Sequence, residues 1–112
     1  MALDKKQIDP GCPVGATMKI LTGKWKLMIL YMLCKGTKRF SELQHGMPQV
    51  TQRMLTAQLR ELEKDRIILR KVYPVVPPKV EYSLSEIGES LKPVLKHLEE
   101  WGAHYLKCVK IG

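Results

Sequence analysis

The stretch Met47-Pro48-Gln49-Val50-Thr51-Gln52-Arg53-Met54-Leu55-Thr56-Ala57-Gln58-Leu59-Arg60-Glu61-Leu62-Glu63-Lys64 decides the reading of this 112-residue chain. Thr51 is an N-cap residue, because its hydroxyl can accept from an amide of the first helical turn. Val50 before it and Leu55 inside it have the spacing of a hydrophobic staple. At about 100° per residue from Gln52, Thr56 falls near 40°, Gln49 near 60°, Arg60 near 80° and Arg53 near 100°. Met54, Leu55, Leu59 and Leu62 occupy about 200° to 340°, an apolar wall for a core. The opposite strip holds Gln, Thr and Arg, with Glu63 as its one carboxylate near the far end. Those are the side chains that bond base edges in the major groove.

Upstream, Phe40–Gly46 reads as a short helix, and a turn of about four residues marked by Gly46 and Pro48 joins it to residues 51–64. Two helices at that spacing form a helix-turn-helix. Before them, Pro13 suits a first helical turn. Val14, Met18 and Leu21 recur at helical spacing, and Gly23 offers a break. Residues 26–35 are apolar nearly all round, from Leu27 to Cys34, so they should be the buried central helix. Gly36 is a natural stop.

Past Asp65 the period shortens. Residues 69–73 read as a strand, and residues 80–84 as a second, with Val80, Tyr82 and Leu84 alternating with Glu81 and Ser83. Pro74, Pro77 and Pro78 place the turn at 74–79, since proline cannot donate to the ladder. A hairpin after a helix-turn-helix is a wing. The last element starts at Ser85, an N-cap candidate, and Pro93 should kink or divide it. Ile87, Leu91, Val94, Leu98, Trp101 and Tyr105 form a seam wider than one small core requires. One face can pack on the domain and another on a second copy. Leu91, Leu95, Leu98, Trp101 and Tyr105 are therefore the expected dimer contacts. The fold class is mainly α with a small β-hairpin wing: a winged helix-turn-helix, with a three-helical core, a wing and C-terminal dimerisation helices.

The charge is unevenly placed. The chain carries 19 Lys+Arg against 11 Asp+Glu, a net +8. Thirteen bases and four acids lie between Pro10 and Val80, whereas the rest of the chain is near neutral. A polyanionic partner is the natural reading of that segregation. Gln49, Thr51, Gln52, Arg53, Thr56 and Arg60 are the expected base-reading residues. Lys38, Arg39 and Ser41 at the start of the short helix, with Arg70, Lys71 and Lys79 of the wing, are expected on phosphate. The expected partners are double-stranded DNA and a second copy of the chain. No membrane, small-molecule substrate, cofactor or metal is expected, and the location should be cytoplasmic. A flexible segment over residues 1–11, a domain over 12–107 and a tail over 108–112 complete the organisation.

Enzymatic patterns are missing. His45, His97 and His104 have no partners at metal-ligand spacing. The pair Gly23-Lys24 is followed by Trp25, with Met18 where a phosphate loop needs glycine. Two further classes stay in view. A small basic RNA-binding protein should show exposed stacking aromatics, of which this chain has few to spare. A protein-interaction module on the same scaffold would leave the Gln52/Arg53/Thr56/Arg60 strip without purpose.

Taken in order, Cys12-Pro13-Val14, Gly23-Lys24-Trp25, Arg39-Phe40-Ser41-Glu42-Leu43 and Met54-Leu55-Thr56 with Leu59-Arg60-Glu61-Leu62-Glu63 resemble the HxlR-type winged helix-turn-helix regulators, relatives of the MarR group. So do Tyr73-Pro74, Val76-Pro77-Pro78-Lys79-Val80-Glu81-Tyr82-Ser83-Leu84 and Trp101-Gly102. The resemblance spans about Cys12 to Leu106. It implies a bacterial or archaeal transcription factor, dimeric through its first and last helices and bound to an inverted repeat near a promoter. The family usually has glycine after Asp65, where this chain has Arg66. Keeping the same left-handed turn would cost about 1 kcal/mol; otherwise the helix ends differently and the wing tilts.

Cys12 precedes Pro13, so its thiol sits where a helix dipole favours thiolate, with Lys5 and Lys6 near in sequence. Several members of the resembling family use a cysteine at this Cys-Pro position to sense oxidants or electrophiles. The plain alternative is a small residue packed at the dimer interface. Cys34 reads as an inert core residue, and Cys108 as an exposed one that could pair between subunits.

Overall fold

The structure, a computed structural model, describes residues 11–109. All of the expected flexible segment except Gly11, including Lys5 and Lys6, lies outside the described residues, as does the end of the expected tail. Nine elements follow one another: α1 (Pro13–Leu21), α2 (Lys26–Cys34), β1 (Lys38–Arg39), α3 (Phe40–Gly46), α4 (Gln52–Lys64), β2 (Ile68–Tyr73), β3 (Lys79–Leu84), α5 (Glu86–Glu89) and α6 (Lys92–Val109). The fold is the expected mainly helical one with a small antiparallel sheet.

Side-chain caps open α4 and α5, and a proline opens α1. Pro13 occupies the first turn of α1 with Cys12 at the N-cap. Thr51 Oγ1 accepts from the Met54 amide at 3.1 Å, opening α4. Val50 and Leu55 are both buried at that corner, as a staple requires. The Gln44 side chain donates to the Val50 carbonyl, tying α3 to the same turn. Ser85 Oγ accepts from the Gly88 amide at 3.1 Å, opening α5. Pro93 does divide the last element: α5 stops at Glu89, and α6 begins one residue before the proline. Residues 108 and 109, expected as tail, continue α6.

The end of α4 answers the question raised by Arg66. The Ile67 amide donates to the Leu62 carbonyl and the Arg66 amide to the Glu63 carbonyl, each at 3.0 Å. That is a Schellman closure, and Arg66 adopts φ 64° to make it. The family's left-handed turn is therefore kept without its glycine, and the helix does not end differently.

The sheet has the order β1-β3-β2, all antiparallel. The two-residue strand β1 has no periodicity to betray it and was not expected. Ile68 pairs with Leu84, Arg70 with Tyr82 and Val72 with Val80, and these share one face, buried at Ile68, Tyr82 and Leu84 and exposed at Arg70 and Val72. Leu69, Lys71 and Tyr73 lie on the other face with Ser83, Glu81 and Lys79. The core gathers Ile29, Leu30 and Leu33 of α2, Leu43 of α3, and Leu55, Leu59 and Leu62 of α4 with Ile68, Tyr82, Leu84 and Leu95.

Three expectations are corrected here. The helix α2 is not buried all round: Leu27 and Met28 are exposed, and Cys34 is only half-buried against the core. Met54, placed on the apolar wall, is exposed at its edge. Leu95, expected at a dimer seam, is 5% exposed within its own protomer and belongs to its core, where Leu91 also packs. The rest of the seam is free in the protomer, with Trp101 64% exposed and stacked on Tyr105 at 5.6 Å. The Tyr31 hydroxyl donates to the Glu99 carboxylate, anchoring α6 across α2. Among the described residues, no helix is long and apolar enough to cross a membrane.

Candidate nucleic-acid interface

Burial of Leu55, Leu59 and Leu62 fixes which side of α4 faces outward. Gln49, Thr51, Gln52, Arg53 and Arg60 are exposed and Thr56 is half-buried between them. Gln52, Arg53, Thr56, Ala57 and Arg60 line a shallow hollow with Phe40. A second hollow is lined by Arg39, Phe40, Ser41 and the wing loop from Val75 to Val80. Phe40 borders both, so the α4 strip, the start of α3 and the wing loop form one continuous surface. Arg39 is set there by its own amide, which donates to Glu42 Oε1 at 2.8 Å.

The wing's charges are more organised than the sequence suggests. Register places Arg39 and Lys71 on either side of Glu81, one on each neighbouring strand. Lys79 Nζ lies 3.2 Å from Glu81 Oε2, and the Tyr73 hydroxyl donates to Glu81 Oε1 at 2.9 Å. The Tyr73 hydrogen bond, then the Lys79 contact, hold the Glu81 carboxyl below its ordinary range. Lys71 and Lys79 also lie over the Tyr73 ring, each 4.9 Å from its centre. Strand alternation puts Arg70 on the opposite face, beside Tyr82. The expected trio of wing bases is thus split, with Arg39 taking Arg70's place beside Lys71 and Lys79. Alternation along residues 69–73 could have separated Arg70 from Lys71, while the pairing of β1 with β3 leaves no mark in the sequence. Lys38, half-buried, lines a separate hollow with Ser41 and His45.

Away from this surface, Cys12 is exposed and its side chain caps no amide. Burial pushes the Cys34 thiol up, against the opposing charge of Lys92. That disfavours the reactive thiolate, in keeping with an inert residue. Cys108 is exposed, with His104 Nε2 3.6 Å from its sulfur. His97 Nδ1 lies 3.3 Å from Glu100 Oε1. Among the described residues, no group of three or more His, Cys, Asp or Glu side chains is placed to hold a metal.

A three-helix core, a helix-turn-helix whose second helix turns a polar strip outward, and a hairpin beside it define a winged helix-turn-helix protein. The sequence model of the HxlR-like helix-turn-helix family matches residues 20–110. The chain belongs to that family and is a transcriptional regulator of the helix-turn-helix type. It is 57% identical over 95 residues to the HTH-type transcriptional regulator YdeP of Bacillus subtilis (strain 168), covering 85% of this chain and 74% of that protein. Among solved structures, the redox regulator HypR in its oxidized form is 52% identical with a TM-score of 0.79, over 83% of this chain and 96% of that one. A MarR-family regulator from Porphyromonas gingivalis W83 is 34% identical with a TM-score of 0.81, over 92% and 97%.

Proposed function

We propose that the protein regulates transcription by binding a DNA operator as a homodimer, with α4 of each protomer in the major groove. The observation that carries this reading is the outward strip of Gln52, Arg53, Thr56 and Arg60, continuous through Phe40 with Arg39, Ser41 and the wing. Arg and Gln on such a strip specify bases, while Arg39, Lys71 and Lys79 supply sequence-independent phosphate contacts. Two copies would set their α4 helices in successive major grooves, with half-sites about 10 bp apart. The dimer would be built from the apolar surfaces left open on α1 and α6, including Val14, Met18, Leu98, Trp101 and Tyr105.

The test is a gel shift with the DNA upstream of the gene, a random duplex of equal length and a hairpin RNA. Preference for the upstream duplex over both controls supports operator binding; equal binding to all three overturns it. Arg53→Ala should lose about 1–3 kcal/mol of discrimination at one base pair, while Lys71→Ala should weaken every duplex alike.

A second property is a response to oxidants or electrophiles through Cys12. Its support is the exposed thiol at the N-cap of α1, on a chain similar to a redox regulator. Diamide or a quinone should change operator binding by the wild-type protein and leave Cys12→Ser unaffected. An unchanged response in Cys12→Ser would remove this residue from the role.

A further inference from the structure

Lys26 is the one charged side chain in the protein's interior among the described residues, 3% exposed, and it sits at the first position of α2. Its Nζ lies 3.2 Å from Glu61 Oε1, a carboxylate on α4 whose side chain is 56% exposed. The other carboxylate oxygen, Oε2, accepts from Gln58 Nε2 at 3.3 Å. Both oxygens of Glu61 are thus held, one by its own helix and one by α2. The turn before Lys26 closes on the same flank. Gly23 adopts φ 148°, and a Cβ there would stand 2.5 Å from Gln58 Oε1.

The position of Glu61 on α4 gives this contact a consequence. It stands about 80° round the helix from Arg53, beyond the outward strip, and lines a hollow with Gly15, Ala16, Lys19 and Ile20 of α1. Burying a lysine is unfavourable unless a partner compensates, and a partner of fixed geometry also fixes the helix that carries it.

We propose that Lys26 is a specificity-determining positioning residue. Its ion pair with Glu61 locks α4 in the rotation that burial of Leu55, Leu59 and Leu62 selects, by tying the helix to the start of α2. The inference rests on the DNA-reading function above and adds a residue that touches no DNA.

The experiment uses the full chain, a duplex selected by the wild-type protein from a random pool, and an unselected duplex of the same length. Binding of wild type, Glu61→Gln, Lys26→Met and the double variant is measured well below each thermal midpoint. In Glu61→Gln the affinity for unselected DNA should hold or rise, because a carboxylate is gone. Its preference for the selected duplex should fall about tenfold, the size of one mismatched base pair. Lys26→Met should lose both preference and general affinity, because the tie to α2 and a positive charge are both gone. The double variant should regain the general affinity and keep the reduced preference. A folded Glu61→Gln protein with wild-type preference overturns the proposal, and so does a double variant with wild-type preference. Should Lys26→Met not fold, Glu61→Gln decides alone. Wild-type protein that selects no sequence overturns the DNA-reading function itself, a distinct result.

Discussion

The Ser85 hydroxyl donates to the Arg66 carbonyl at 2.6 Å while accepting from the Gly88 amide at 3.1 Å, so one side chain joins the turn after α4 to the first turn of α5. Its oxygen also lies 2.9 Å from the Ile67 carbonyl, which takes the Ser85 amide at 3.0 Å. Ser85→Ala removes the cap but leaves the backbone bond. It should lower stability by about 1–2 kcal/mol in urea unfolding. A smaller loss would mean water replaces the hydroxyl at no cost.

Gly88 is fixed by contact rather than by conformation. A Cβ there would stand 2.2 Å from the Ile67 carbonyl oxygen, a backbone atom that cannot swing aside. Gly88→Ala should cost about 3 kcal/mol and lower the thermal midpoint by more than about 10 °C. A midpoint equal to wild type would show that α5 slides without penalty.

Arg66 offers the reverse case. Its φ of 64° disfavours any side chain, and the Schellman bonds demand it. Arg66→Gly should raise stability by about 1 kcal/mol, read as a higher urea midpoint with an unchanged slope. Unchanged or lower stability would indicate that the arginine side chain makes up its own backbone cost.

Glu81 links stability to acidity. Its carboxyl is held below the ordinary value of 4.5 by the Tyr73 hydroxyl and by Lys79. A depressed folded value means the contribution is fully present above the ordinary value and disappears as pH falls through the folded one. The stability difference between wild type and Glu81→Gln should therefore be constant near neutrality and shrink below pH 4.5. A difference independent of pH down to acid unfolding would show that the carboxylate is not held this way in solution.

The two kinds of leucine on α6 should behave differently. Leu95 is buried in its own protomer, so Leu95→Ala should lower stability by about 2–5 kcal/mol. Leu98 and Trp101 are open to solvent in the protomer, so Leu98→Glu or Trp101→Ala should shift sedimentation toward monomer while leaving the protomer folded. A dimer unaffected by either change would place the dimer contacts elsewhere.

Much of this architecture is legible from residue types, because caps and breakers act locally. Thr51, Ser85, Pro13 and Pro93 mark helix ends by chemistry that involves only their own backbone neighbourhood, and each stands where that chemistry places it. The outward strip of α4 follows likewise from one helix's periodicity. What escapes is everything that depends on a partner distant in sequence. Leu27 and Met28 look like core because they are apolar, yet only three-dimensional packing decides which sides of α2 are covered. Leu95 and Leu98 are three residues apart on one stripe, and tertiary contact alone separates them. Strand β1 has two residues and exists only because β3 lies beside it. For that reason the grouping of Arg39 with Lys71 could not be read in advance, whereas alternation along residues 69–73 already separates Arg70 from Lys71.

Phe40 stands where two hollows meet, touching the α4 surface on one side and the hairpin loop on the other. A single aromatic ring acting as a shared wall couples what would otherwise be two independent instruments. A change in the hairpin loop that reaches Phe40 therefore reaches a wall of the α4 hollow too. On the proposed function, substitutions confined to the outward positions of α4 would alter which bases are favoured while the hairpin keeps its footing. Divergence toward new target sites would then be channelled into a few solvent-facing positions of α4.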